Sequence, residues 1–370
     1  METFFILTLL LSFLPVGVLM VYVALTLCSS QKGGDNVAHV VDFRAPVSII
    51  IACYNEEKYI ANRIENLLEA SNWIDGSEII VVTGGSSDQT LKRLEAYANN
   101  PFVHIFSFPD RVAKIAAVNF GFKQAAHDFL VFSDCRQVVK PGSIPSLIRR
   151  FSDPLVGTVS STLVDSKDES KPSRIRAWLN TIAYAESRTR SSLNVFGALY
   201  AQRRSTFREL PDDIIFDDLF VVVSTIAQKK RLVQDEHAVI YDVNFNQYYG
   251  KGRIKRLARG LLLFLSNHYS LVKRLPRGIR IRFMIFKYLK LILPFSTLLA
   301  VLSIVGLAIC GSWVIPALAA IIISILLIWP MGRQFMIQYL KIQFFFFIAI
   351  LHFLSGKDQS VSWEKLHTAK

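Results

Sequence analysis

Residues Val47–Glu57 read VSIIIACYNEE, a β-branched apolar run that breaks at Tyr54-Asn55-Glu56-Glu57. A run that is apolar throughout, without alternation, predicts a strand covered on both faces, as in parallel sheets. Beyond it, Ile60, Ile64, Leu67 and Leu68 recur at helical spacing, and Glu78–Val82 is a second strand-like run closed by Gly84-Gly85-Ser86-Ser87-Asp88. A helix with Leu91, Leu94 and Tyr97 on one face follows, then a strand over Val103–Phe106, a helix over Ala113–Ala126 and a strand over Phe129–Phe132. Alternating strands and helices with right-handed crossovers predict an α/β fold with a mostly parallel sheet. Such a sheet gathers its ligand site beyond the carboxyl ends of its strands. The last of these runs ends there on a carboxylate, in Ser133-Asp134-Cys135-Arg136.

The next stretch is less regular. Val156–Leu163 and Gly197–Gln202 predict strands, Pro172–Ser192 a helix between them, and Phe216-Asp217-Asp218 the opening of a helix through Ala227. An Asp is well suited to cap that helix, because its carboxylate accepts from the unpaired first-turn N–H groups. Asp88 suits the same role at the helix after the second strand.

Of the 370 residues, 52% are hydrophobic, more than a purely soluble enzyme carries. The excess is concentrated. Phe4–Leu27 is nearly uninterrupted and long enough to cross about 30 Å of hydrocarbon. It lacks the basic n-region and small-residue cleavage site of a secretory signal, so it is expected to stay as an anchor. Ile285–Cys310, Trp313–Trp329 and a shorter run over Ile342–Leu354 predict three more spans. The net charge of +13 is also local: no acidic residue lies between Asp242 and Asp358, while Lys251–Lys290 holds twelve Lys or Arg. No nucleic-acid-binding module accompanies that run, and its position beside apolar spans points to anionic lipid headgroups instead. Lys251–Arg274, with Ile254, Leu257, Leu261 and Phe264 among its basic residues, predicts an amphipathic helix on a membrane surface. By the positive-inside rule the polar domain faces the cytoplasm and the N-terminus the outside, which predicts an integral protein of the cell (inner) membrane. Cys28, Cys53, Cys135 and Cys310 show no paired spacing, which argues against a disulfide framework or a Cys-based zinc site and favours a reducing compartment.

The order of these motifs resembles the membrane-embedded family 2 glycosyltransferases, over roughly Val47–Arg259. VSIIIACYNEE is similar to that family's opening strand, Lys114–Asn119 (KIAAVN) to its Gly-Lys-x-x-Ala-Leu-Asn segment, and FSDCRQ stands at its Asp-x-Asp position. Gly197–Ala201 resembles its acceptor-side strand, and Ile215–Asp218 its Thr-Glu-Asp motif. The resemblance implies a GT-A-like, mostly parallel sheet domain flanked by transmembrane helices. It also implies an inverting transfer from a nucleoside diphosphate sugar, with UDP the expected nucleotide, to a glycan or lipid-linked acceptor. That reaction needs a base for the acceptor hydroxyl and positive charge for the leaving diphosphate. By the resemblance Asp218 takes the base position and Asp217 the place of the family's Glu. Ala52, Tyr54 and Glu56 fall at nucleotide positions, and Lys114, Asp134, Arg136, Arg253 and Arg256 at donor-diphosphate positions.

Three departures stand out. The family's Asp-Asp-Gly-Ser after the second strand is here Thr83-Gly84-Gly85-Ser86, without the two acids. Its Gln-x-x-Arg-Trp is replaced by Gln247–Arg253 with no Trp, so processive synthesis is not implied. Arg136 replaces the second Asp of Asp-x-Asp, leaving Asp134 alone to hold Mg²⁺ or Mn²⁺, with a neighbouring cation opposing that occupancy. A catalytically impaired homologue, acting as a binding or scaffold subunit of a membrane glycan-synthesis complex, is the alternative these losses motivate. The expected domains are an anchor (1–29), a cytoplasmic catalytic domain (44–245), basic interfacial helices (246–283), three membrane helices (284–356) and a tail (357–370).

Overall fold

A computed structural model describes residues 1–32, 43–71, 75–164, 174–242 and 251–356 of the chain. The chain divides into two compact units: Thr26–Gln247 with Ser270–Leu275, and Met1–Leu25 with Tyr248–Tyr269 and Pro276–Lys370. The expected tail, 357–370, and residues 246–250 lie outside the described residues.

The helix α1 (Glu2–Lys32) opens the chain. The first unit then builds one eight-stranded sheet from β1 (Val47–Cys53), β2 (Glu78–Gly84), β3 (Val103–Phe108), β4 (Phe129–Ser133), β5 (Val138–Val139), β6 (Val156–Val164), β7 (Leu199–Arg203) and β8 (Arg231–Tyr241). Their spatial order is β3-β2-β1-β4-β7-β6-β8-β5. The first four are mutually parallel, as the apolar runs predict; β7 enters antiparallel to both β4 and β6. The α/β fold with a predominantly parallel sheet is therefore correct, with β7 inserted antiparallel beside β4 and the short β5 antiparallel to β8.

Among the described residues, six helices belong to this sheet: α2 (Ile60–Ala70), α3 (Thr90–Glu95), α4 (Lys114–Gln124), α5 (Ser143–Arg149), α6 (Arg174–Thr189) and α7 (Asp217–Ala227). Helix α2 shows why they dock. Its Ile60, Ile64, Leu67 and Ala70 lie on one stripe and are all fully buried. Each such large aliphatic side chain contributes about 1.5–3 kcal/mol. That stripe joins Ile49, Ile51, Ile79 and Val131 of the central strands in one core.

Strand β8 was not anticipated. Its middle, Gln234-Asp235-Glu236-His237, reads as a polar loop, yet Gln234 and Asp235 are buried. Asp235 accepts from Ser146 Oγ at 2.8 Å, from Arg150 Nε, and from the His237 and Ala238 N–H groups at 2.9 and 2.8 Å. The register of β6 on β8 shifts here, between Ser160 and Thr162. A buried carboxylate is tolerable because its acceptor sites are filled.

The second unit is helical, with α8 (Lys251–Lys273, part of it in this unit), α9 (Arg277–Phe283), α10 (Leu289–Ile309), α11 (Val314–Ile328) and α12 (Pro330–Leu354). Helix α8 buries Ile254, Ala258, Leu261 and Phe264 on one face, matching the amphipathic reading, and is kinked at His268. Among the described residues, three helical stretches are long and apolar enough to cross a membrane: Glu2–Ser30, Arg277–Ile309 and Gly332–Leu354. The expected lengths of the last two spans are reversed. Helix α11 has only 15 residues, whereas α12 has 25, because Pro330 starts it immediately after Trp329. Proline fits there, since a first-turn N–H has no helical partner to lose. Within this unit α1 and α10 meet closely: Thr8 Oγ1 and Ser303 Oγ are 2.7 Å apart, and a Cβ on Gly306 would lie 2.3 Å from the Phe5 ring.

Candidate active site

In the order β3-β2-β1-β4 the chain moves outward from β1 to β3, then returns to lay β4 on the other side. The carboxyl ends of β1 and β4 therefore flank a topological switch point, where open sheets leave a crevice. Ala52 lies at the end of β1, with Tyr54 and Glu56 just beyond; Asp134 follows β4 directly.

Helix α4 begins at Lys114, and α7 begins at Asp217 and Asp218. The Lys114 ammonium stands 3.0 Å from Asp134 Oδ1 and 3.1 Å from Asp217 Oδ2. These three side chains, with Ala52, Gly197 and Tyr200, line one pocket. Burial lowers the Lys114 pKa, but the two carboxylates outweigh it and hold the ammonium well above the usual lysine range. Burial raises the Asp217 carboxyl, but Lys114 and backbone N–H groups outweigh it and leave its pKa lowered. Both groups are thus charged at neutral pH. Asp218 is half-buried and accepts from the Leu219 N–H at 2.7 Å. Neither acid is the N-cap expected from sequence; Phe216 holds that place, and the acids form the first helical turn. Tyr200, on β7 opposite Phe132, was not singled out from sequence. Its phenol pKa is raised by burial and by Asp217, Asp218 and Asp134.

Arg136 does not join this cluster. Its Nε donates to both Glu56 oxygens at 3.1 Å and its Nη2 to Oε1 at 2.9 Å, a bidentate fork. The two residues singled out separately are therefore one ion pair, and the Glu56 bond raises the Arg136 pKa. Behind them lies Arg63 of α2, which is only 1% exposed and was also missed. It donates to Ser133 Oγ, to the Gln137 carbonyl at 3.0 Å and to Asn66 Oδ1 at 3.2 Å. Asn66 in turn pairs with both backbone groups of Val139 at 2.8 Å. The loop carrying Asp134 and Arg136 is thereby anchored to α2. Burial brings the Arg63 pKa down to about 10.

Of the two acid positions after β2, the one held by Gly84 has a steric explanation. A Cβ at Gly84 would lie 2.7 Å from the Asp110 carbonyl, and one at Gly85, where φ is +61°, 2.5 Å from the Arg111 nitrogen. The Asp110 carbonyl and the Val112 side chain occupy the space that an acid at position 84 would need. Arg111, unremarked in the sequence, is thereby placed with its guanidinium 4.9 Å from the Tyr54 ring centroid. Asp88 lies one residue before the N-cap, Gln89, and accepts from the Thr90 N–H at 3.0 Å and from the Glu57 N–H at 3.2 Å. Arg256 is an exposed residue of α8, and the Arg253 side chain lies outside the described residues.

The donor set does not suit a divalent metal. Asp134 is already paired with an ammonium, Glu56 with a guanidinium, and Asp217 with the same Lys114. Among the described residues no group of three or more His, Cys, Asp or Glu side chains converges.

Three comparisons bear on this arrangement. The solved structure of a mannosyltransferase from Pyrobaculum calidifontis, in complex with GDP-Man and Mn²⁺, is similar over 96% of this chain and 99% of that one, with a TM-score of 0.78 and 21% identity. That likeness establishes the GT-A fold. In sequence, a poly-β-1,6-N-acetyl-D-glucosamine synthase of Staphylococcus aureus (strain COL) is 30% identical over 147 residues, 39% of this chain and 34% of that protein. An undecaprenyl-phosphate 4-deoxy-4-formamido-L-arabinose transferase of Pectobacterium carotovorum subsp. carotovorum (strain PC1) is 33% identical over 132 residues, 34% of this chain and 40% of that protein. The chain thus matches well under half the length of these curated relatives. Residues 48–211 match the model of glycosyl transferase family 2, which includes β1, Lys114, Asp134 and Tyr200. With the switch-point crevice and the GT-A fold, that match makes residues 48–211 similar to a glycosyl transferase family 2 domain.

Proposed function

We infer that the chain is a membrane-anchored inverting glycosyltransferase that moves a sugar from a nucleoside diphosphate to a glycan or lipid-linked acceptor. The observation that carries this reading is the junction of Lys114 with Asp134 and Asp217, beside Asp218, at the β1/β4 crevice. An acceptor hydroxyl oxygen bonds to the anomeric carbon as its proton passes to Asp218. The bond from that carbon to the diphosphate breaks, and its electron pair leaves on the phosphate oxygen. Asp218 is the better base, because Asp217 is tied to Lys114 and kept ionised at low proton affinity. Lys114 meets the charge that develops on the leaving group.

The basic, acid-free stretch beside the apolar helices favours a catalytic domain at the cytoplasmic face of the cell membrane. Residues 44–245 are the catalytic domain in this reading, with 1–29 and 284–356 in the membrane, 246–283 at its surface and 357–370 a tail. UDP-sugars are the first donors to test. Arg253 and Arg256 are assigned to lipid headgroups or the donor diphosphate. Retention of Lys114, Asp134, Asp217 and Asp218 in one cluster argues against a purely scaffolding role.

The test is incubation of membranes bearing the protein with a panel of labelled UDP- and GDP-sugars. Transfer of label, or release of free nucleoside diphosphate, from at least one donor is expected. Absence of both from every donor would refute the reading.

A further inference from the structure

The charges around Asp134 carry a consequence for how a donor is held. We propose that the donor diphosphate binds to this chain without a divalent cation, the Lys114 ammonium supplying the neutralising charge. This rests on the glycosyltransferase reading above.

A magnesium-type ion bridging protein and diphosphate needs one or two carboxylates, at about 2.0–2.1 Å, with room for water around it. Asp134 offers one carboxylate, and Lys114 Nζ already stands 3.0 Å from its Oδ1. A cation coordinated there would sit against a fixed positive charge. Lys114 is not easily displaced, because Asp217 holds its other side at 3.1 Å.

The second position of the motif makes matters worse for a metal. Arg136 contributes no oxygen, and its fork consumes Glu56, the next carboxylate along the crevice. Arg136 is not the substitute charge itself: it does not line the pocket shared by Lys114, Asp134 and Asp217, and its Nε–Nη2 edge is turned to Glu56 at 2.9–3.1 Å. Lys114 differs, since an ammonium has three donors and two are used here. The third is available to a phosphate oxygen in the pocket that Lys114 lines. The two carboxylates outweigh the effect of burial and keep that ammonium charged throughout the physiological range.

The experiment is calorimetric titration of the full-length protein in detergent with UDP and with GDP, in EDTA and again in Mn²⁺. The expected result is binding of at least one nucleotide in EDTA, within about twofold of its affinity in Mn²⁺. Lys114→Met is expected to weaken it by at least about tenfold, and Lys114→Arg to restore most of the loss. Binding seen only with Mn²⁺ would overturn the proposal while leaving the glycosyltransferase reading intact. Undiminished binding by a folded Lys114→Met protein would overturn it too. No binding of either nucleotide under either condition would overturn the glycosyltransferase reading itself. The wild-type comparison needs no variant, so a misfolded substitution cannot blunt the test.

Discussion

Lys114 and Asp217 are joined at 3.1 Å, and the same ammonium reaches Asp134 at 3.0 Å, so one cation ties the start of α7 to the end of β4. Lys114→Met removes that tie and leaves two carboxylates facing each other. Turnover is expected to fall by about 10²–10³-fold, the range seen when one preorganised charge-stabilising group is lost. Initial-rate kinetics on the best donor would check it; a loss below about threefold would argue that Lys114 only packs.

The same pair sets a pH signature. The folded Asp217 pKa is lowered, so its contribution to stability is present above the ordinary carboxylate value of about 3.9 and lost as pH falls through the folded value. The folded Lys114 pKa is raised, so its contribution is present below about 10.4 and lost as pH rises through the still higher folded value. The melting-temperature gap between wild type and Lys114→Met should therefore be wide at neutral pH and close in acid. Thermal unfolding from about pH 3 to 9 measures it.

Arg136→Asp places a second carboxylate two residues after Asp134 and releases Glu56 from its fork. The variant is expected to gain a response to Mn²⁺, with nucleotide affinity rising on metal addition. Titration with and without Mn²⁺ reads this directly, and a metal-insensitive variant would count against the charge argument.

Arg63→Met should destabilise the protein by about 1–3 kcal/mol for each partner it strands, the buried Ser133 hydroxyl and the Gln137 carbonyl. Hydrogen exchange is expected to rise selectively over residues 133–139, and uniform loss of protection would point to general unfolding instead.

How far these features could be read beforehand depended on whether a residue's local pattern agreed with its tertiary role. Strands β1, β2 and β4 were legible because burial on both faces writes itself as an unbroken apolar run. Strand β8 was not, because Asp235 is satisfied by Arg150 and Ser146, from a different helix. Arg63 sits in IANRIENLLEA, where a charged residue between apolar ones looks solvent-facing; two of its acceptors, Ser133 and Gln137, lie 70 and 74 residues away. Lys114, Asp134 and Asp217 were named separately, but that one ammonium joins them needed the fold. Likewise Arg136 was noticed as a loss of acid, and only its geometry reveals the fork onto Glu56.

In the helical unit, Gly306→Leu should separate α1 from α10, since even a Cβ there would lie 2.3 Å from the Phe5 ring. Small residues let membrane helices approach closely, and the Thr8–Ser303 hydrogen bond at 2.7 Å depends on that approach. Disulfide trapping between Cys substitutions at Thr8 and Ser303 should succeed in the parent and fail in the Gly306→Leu background.

The most direct test of the central claim is Asp218→Asn, assayed for sugar transfer and for nucleotide binding on the same preparation. Loss of the base should lower kcat by at least about 10²-fold. Nucleoside diphosphate affinity should stay within about threefold, under 1 kcal/mol. Transfer by Asp218→Asn at the wild-type rate would contradict the account.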